Sequence, residues 1–348
     1  MSALLDESAM SSQPLEYPLT TAGRRVIWMY AVVIGLFHVV APLAFLPGLF
    51  SWVGLVLLLP GNYIFGSLGI NLAYHRILTH RSVVMPRWLE HLFTIFGVCS
   101  LQGSPLRWVT THRIHHQFSD EQEDPHSPLV TFFWSHVEWV FITNTSLERL
   151  STYERYSRDL IDDPFQRWLH RGYHWVWVYV AHAVAFAGLC LGIAWMTTET
   201  TAEMWMTSTS LFLWLVVVRT VYVWHITWLV NSAAHYWGYR NYKTHDVSRN
   251  NWVVAVLTNG EGWHNNHHAS PRAAAHGHRW WEIDLTYWSI VALKWVGLAW
   301  KVVPVKVPKA LLPDGRVSKS NAVTVSVEDE SDKGTSQLRE PHGQQVVS

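Results

Sequence analysis

No Asp, Glu, Lys or Arg stands between Arg25 and Arg76, and most of that stretch is apolar. A helix crosses a bilayer with about 20 apolar residues, so the stretch is long enough for two crossings. Pro42, Pro47 and Gly48 interrupt it near the middle, as residues of a tight turn do. The pattern predicts spanning helices over about 26–46 and 51–74. A second uncharged run, Gly172 to Thr198, holds a third span at Val176–Met196, and a fourth covers about 208–235 with Arg219 as its one charge. An arginine at that depth is costly and is expected to face the bundle interior or a polar cavity. Leu129–Thr143 and Trp280–Val303 are apolar but carry charges, which fits helices lying on the membrane surface with the apolar face down. The polar stretches 1–25 and 305–348 are expected to be disordered tails. The first lacks the basic start and apolar core of a signal peptide.

The loops orient these spans. Segment 75–171 carries ten arginines, whereas 197–207 has Glu199 and Glu203 but no Lys or Arg. The positive-inside rule then puts both termini and segments 75–171 and 236–304 in the cytoplasm, in a bacterium beneath the inner membrane. The expected fold is an all-α integral membrane protein, two transmembrane hairpins (26–74 and 172–235) capped by a cytoplasmic helical domain. Composition agrees: 15% of residues are charged, against about 25% in soluble domains. The zero net charge argues against a nucleic-acid partner. Two cysteines exclude a disulfide scaffold or a cysteine-rich metal module. The 22 tryptophans suit interfacial anchors.

The 21 histidines need another reason. Nine of them are patterned: His75 and His80; His112, His115 and His116; His235; and His264, His267 and His268. On a helix, positions three and four apart share a face. His112 therefore neighbours both His115 and His116, which diverge by about 100°, so one triplet can address two metal ions. The triplet at 264–268 repeats this, and Asn231 stacks one turn from His235. The five-residue step from His75 to His80 splays the pair on a regular helix and suits a helix end where the chain unwinds. Nine imidazoles exceed the roughly four ligands of a structural zinc, and two metals with four or five nitrogens each would use them. Imidazole suits iron, copper, zinc and nickel alike. Metal-bound histidines commonly donate their other N–H to a carboxylate, which makes Asp120, Glu123, Asp124 and Glu261 the candidate supports. Lone histidines such as His38 and His182, with His126, His136, His170, His174, His225, His276 and His278, are read as structural.

With these motifs the sequence resembles the membrane-bound fatty acyl desaturases of the delta-9, stearoyl-CoA type. The resemblance rests on His-x4-His at 75–80, His-x2-His-His at 112–116, Asn-Ser-Ala-Ala-His at 231–235 and Gly-Glu-Gly-Trp-His-x2-His-His at 260–268. It covers roughly 25–300 and includes Asp124-Pro-His126. Bacterial, including cyanobacterial, members look similar through Arg279-Trp-Trp-Glu-Ile-Asp284. It implies two irons held by the nine histidines, with Asn231 reaching one of them through a water. It also implies O2 as co-substrate, and removal of two hydrogens from an unactivated acyl chain to leave a cis double bond.

By the same resemblance Gln102, Trp108, Thr227 and Trp228 shape the acyl tunnel beside the metals. Tyr63, about 18 Å along a helix from His75, is expected to close the tunnel's far end, with Ser67 one turn nearer. The chain shows no haem- or flavin-binding extension, so a separate electron donor is expected, a ferredoxin or a b-type cytochrome. Acyl-CoA and acyl-lipid substrates both remain open. The alternatives are a membrane hydroxylase using the same irons and a metal transporter. A transporter places its ligands near the bilayer midplane, whereas these groups sit at one membrane face.

Overall fold

The structure is a computed structural model that describes residues 14–312 and the backbone of 326–328. Four apolar helical stretches are long enough to cross a membrane: Trp28–Phe45, Trp52–Thr79, Pro164–Thr197 and Thr201–Tyr236. They leave rows of large apolar side chains exposed, among them Val32, Val39, Val56, Leu59, Trp177 and Val184. Surface of that kind is stable against lipid rather than water, and the chain is a multi-pass membrane protein. The third and fourth spans lie closer in sequence than the expected 197–207 connection. Thr200 caps the fourth helix in a reciprocal capping box with Glu203, satisfying two orphan N–H groups, so the helix starts at Thr201.

The first span begins with α1 (Trp28–Val40). The second begins with α2 (Trp52–Gly61), which contains Pro60. Proline has no N–H and crowds the carbonyl four residues back. Just beyond it, from Asn62 to Thr79, the winding loosens to a π-helix. Its i→i+5 bonding places residues five apart on one face, and it runs on to His80, whose N–H donates to His75 O at 3.1 Å. The His75–His80 pair is thus aligned by π winding, where an unwound helix end was expected.

α3 (Arg87–Val98) and α4 (Pro105–Gln117) pack on this second span. α3 crosses it where Gly69 meets Gly97, close enough that a Cβ on Gly69 would overlap the Gly97 amide and Phe96 backbone. α4 is started by Ser104, whose hydroxyl accepts from Arg107 N. The fourth span is the most buried of the four. As the sequence requires, Arg219 faces inward: it donates to the Leu215 and Cys99 carbonyls at 3.0 and 3.1 Å, and its guanidinium lies 3.9 Å from the Phe65 ring centre.

The remaining helices form a cap at one end of the bundle. In the segment expected as a surface helix over 129–143, helical winding covers 132–141. In Trp280–Val303 it covers Leu285–Trp295, with Trp288 and Trp295 exposed. The expected tail over 1–25 is different from residue 14 onward. Leu15 N donates to Leu129 O at 2.9 Å, Gln122 bonds the carbonyls of Glu16 and Tyr17, and Arg24 pairs with Glu138. These residues strap across the cap, while 1–13 lie outside the described residues. At the other end Val305 and Val307 are buried and Lys306–Pro308 pairs in parallel with Ser326–Glu328. The rest of the expected 305–348 tail lies outside the described residues.

The Gly69–Gly97 crossing yields a test. Gly69→Ala should lower the thermal unfolding midpoint in detergent, by the roughly 1–3 kcal/mol of an overpacked contact. Gly188→Ala, where a Cβ meets nothing within 4 Å, should leave it near the parent value.

Candidate metal centre

The histidine boxes converge where the second and fourth spans meet the cap. His75, His80, His112, His116 and His267 form one group, and His115, His235, His264 and His268 a second; within each group the ring nitrogens lie within 4.8 Å of one another. Helical phase makes the division. In α4, His112 and His116 are four apart and face the first group, while His115 turns to the second. In the helix His264–Ala269 the assignment is reversed, His264 and His268 joining the second group and His267 the first.

Carboxylates set the tautomers. Nδ1 lies 2.7 Å from Glu261 in His75, 2.9 Å from Asp124 in His115, 3.2 Å from Asp120 in His235 and 2.9 Å from Asp246 in His268. With the proton held on Nδ1, each of these rings turns a bare Nε2 inward. His235 and His268 both place Nε2 3.1 Å from Nε2 of His264, which has at most one proton to share between them. His267 Nε2 likewise faces His75 and His116 Nε2 at 3.1 and 2.9 Å, and buried His80 Nε2 has no hydrogen-bond partner among the described residues. Lone pairs left facing one another in a buried site are unfavourable unless a cation lies between them. The donor set therefore fits metal ions, and those that take imidazole, such as iron, copper, zinc and nickel, best.

Burial, reinforced by neighbouring imidazoles, holds His80, His112, His116, His264 and His267 well below the ordinary imidazole range. They are neutral donors. Burial also lowers His115, but the Asp124 carboxylate beside it overcomes this and holds the ring above its usual value. Burial raises Asp124 and Asp246, yet the histidines they face hold both below the usual carboxylate range.

The supports differ in part from expectation. Asp120, Asp124 and Glu261 serve the rings as described, with Asp120 in a left-handed turn (φ 61°) that also accepts from Val247 N. Glu123 is exposed: the turn after α4 directs Asp124 inward and Glu123 to the surface. Asp246 was missed, although it is the sole acid between His235 and Glu261 and the fourth Nδ1 needed an acceptor. Arg76 and Asp284 were missed too. Arg76 is fully buried and bonds both Glu261 and Asp284 at 2.8–3.2 Å, tying the second span to the cap behind His75. His126 and His276, read as structural, lie against the groups: ring centres are 4.4 Å apart for His126 and His115 and for His276 and His267. Burial pushes His126 down to about 3.

A cavity of about 340 Å³ opens beside the groups. Gln102, Trp108, Thr227, Trp228 and Asn231 all line it, and Gln102 links Thr227 Oγ1 (2.9 Å) to Trp108 Nε1 (3.3 Å) across it. Tyr63 and Ser67 do not line it. Tyr63 is partly exposed and bonds Ser289 at 2.7 Å, and Ser67 accepts from Asn259. The π winding explains this, because the face it turns to the cavity carries Gly66, Ile70, Asn71 and His75, spaced by four and five.

Residues 51–301 match the family model described as fatty acid desaturase. The chain is 41% identical over 278 residues to an sn-2 palmitoyl-lipid 9-desaturase of Nostoc sp. (strain 36), covering 79% of this chain and 90% of that one. It is 40% identical over 285 residues to an sn-1 stearoyl-lipid 9-desaturase of Anabaena variabilis, covering 81% and 96%. An acyl-CoA C20 Delta5-desaturase of Anemone leveillei is 36% identical over 307 residues, covering 85% and 90%. A histidine-lined centre beside an apolar cavity, in a chain matched this far along its length, is that of an oxidoreductase, and the chain belongs to the fatty acid desaturase family.

Proposed function

We propose that this protein places a cis double bond, at the delta-9 position, in the long acyl chain of a membrane lipid. It would use O2, two electrons and two iron ions held by the nine histidines. The observation that carries the reading is the pair of imidazole groups with Nε2 inward, set beside an apolar cavity. Relatives named as lipid 9-desaturases support the acyl-lipid substrate and the double-bond position. The arginine-rich 75–171 segment supports a cytoplasmic cap and an inner-membrane location. Electrons would come from a separate ferredoxin or b-type cytochrome.

His75, His80, His112, His116 and His267 would hold one iron, and His115, His235, His264 and His268 the other, with Asn231 turned to the second through a water. When bound, the irons supply the redox chemistry that activates O2 for attack on an aliphatic C–H bond. The chain's own residues do the rest. Asp120, Asp124, Asp246 and Glu261 hold protons on Nδ1, so the Nε2 atoms remain available as ligands. The Gln102–Thr227–Trp108 bridge and Trp228 shape the cavity wall that an acyl chain must follow past the centre. Apolar walls exclude water from the reacting methylene groups. A hydroxylase on the same ligands would leave an alcohol instead.

Three outcomes test this. Expressed with a reduced ferredoxin in a host lacking desaturases, the protein should give lipids with a new cis double bond at delta-9, read by mass spectrometry. Hydroxylated chains or saturated lipids alone would refute it. Asp246→Asn should weaken iron retention on the order of 10–100-fold, with iron per chain falling toward one, while exposed Glu123→Gln should retain the full content. The third concerns pH. Because burial keeps His80, His112, His116, His264 and His267 neutral well below ordinary imidazole values, protons compete for them only in stronger acid. His115, held above the usual value by Asp124, is the ring that protons reach first. As the pH falls from 7.5, iron per chain measured after dialysis should therefore drop toward one before the five-histidine group gives up its own in stronger acid.

A further inference from the structure

The apolar cavity does not end at the metal groups. On its other side it shares Tyr30, Arg107, Asn144 and Trp175, among others, with a second, more polar cavity of about 600 Å³. This vestibule lies where the first and third spans enter the cap, between the start of α1 and the segment His170–Trp175. Its polar lining includes Ser104, Asn144, Tyr153 and His170, with Ser104 Oγ 2.7 Å from His170 Nδ1. Among the described residues Arg107 is the one Lys or Arg in the wall, and Glu148 the one acid.

Arg107 is half-buried and is paired with no carboxylate among the described residues, its neighbours being the Tyr30 ring at 5.8 Å and the Tyr153 hydroxyl. Arg76 is answered by Glu261 and Asp284, Arg219 by backbone carbonyls and Arg113 by Asp159 and carbonyls, whereas Arg279, half-buried like Arg107, stands over the Tyr239 and Trp281 rings and lines neither cavity. A guanidinium at a cavity wall with no carboxylate beside it has donors to offer a ligand's oxygen.

We propose that Arg107 binds the ester carbonyl at the polar end of the acyl substrate, and that the vestibule takes a glycerolipid headgroup. This rests on the desaturase reading above and adds to it the anchor and the carrier. The carrier follows from charge. Acyl-CoA brings several phosphates, whereas this wall has one guanidinium offset by Glu148, with hydroxyls, an amide, aromatic rings and the apolar Ile27, Met29 and Leu147 making up the rest, a surface that neutral glycerol or sugar hydroxyls bond and stack on. The position of the double bond follows from the helix. Arg107 stands five residues before His112 on α4, about 7.5 Å of rise. Trp108, Thr111 and His112 continue the cavity wall between them. One rigid helix thus carries both the anchor for the carbonyl and ligands of the metal groups, and fixes how many carbons separate them. Arg107 is on this account a specificity-determining residue that counts from the carboxyl end.

The test uses the full-length, iron-loaded protein in vesicles containing a stearoyl glycerolipid, with reduced ferredoxin supplied. For Arg107→Gln the apparent KM for the lipid should rise about tenfold, the scale of one charge-assisted hydrogen bond. The double bond, at a single position in the parent, should spread to neighbouring carbons, while Arg107→Lys should restore the single position. Iron content is measured in each variant, so that damage to the centre is read separately. Equilibrium binding of radiolabelled stearoyl glycerolipid is measured alongside. Weaker binding by Arg107→Gln supports the anchor even if no preparation turns over, a result that would sink the desaturase reading alone. Equal binding, or an unchanged KM with a single double-bond position, overturns the anchor. Stearoyl-CoA bound as tightly as the lipid overturns the headgroup assignment.

Discussion

Packing nine imidazoles nitrogen to nitrogen poses a problem of proton placement. Each ring has two nitrogens, and if protons were free to choose, the inward faces would be a mixture of donors and lone pairs. Four carboxylates remove that freedom by accepting from Nδ1 of His75, His115, His235 and His268. Once the outer nitrogens are committed, the inner ones converge as lone pairs and call for cations. Much of the cap is arranged around those four contacts. Asp120 adopts a left-handed backbone to reach His235, Asp246 is held by Ser248 and Thr244, and Glu261 is held by Arg76.

The two groups are not equivalent. Three of the four carboxylates serve the four-histidine group, and one serves the five-histidine group. The four-histidine group therefore sits in the more negative surroundings, and within it the Asp124 carboxylate holds His115 above the usual imidazole value. The five-histidine group gains its fifth ring through π winding, which carries His80 back over His75. The same winding turns Gly66, Ile70 and Asn71 to the cavity and Tyr63 away from it. A single departure from α geometry, beginning just after Pro60, thus decides both the ligand count on one side and the shape of the cavity on the other.

Cap and membrane bundle depend on each other through buried charge. Arg76 leaves the second span to meet Glu261 and Asp284, which come from separate loops of the cap. Removing one partner from such a cluster leaves an uncompensated charge in a dry environment. The arrangement fixes His75 relative to the third histidine box. It also explains why the chain keeps an arginine next to a ligand rather than an apolar residue.

Much of this was legible in the sequence because it depends on near neighbours. Hydropathy marks the spans, since each must bury its own backbone bonds in lipid, and the spacing of 112–116 and 264–268 sorts the rings because an α-helix turns about 100° per residue. What the sequence did not reveal lies where distant segments meet or the winding changes. Asp246 and Asp284 carry no spacing signal, because each acts on a residue far along the chain. Glu123 and Asp124 look alike as neighbouring acids, and only the turn between them decides which one enters the site. Tyr63 was placed by counting along an α-helix that is in fact π-wound. The sequence by itself determined the kinds of ligand and the membrane frame. Only the tertiary structure decided which acids reach the rings and which residues line the cavity, because side-chain direction there is set by contacts between segments and not by local period.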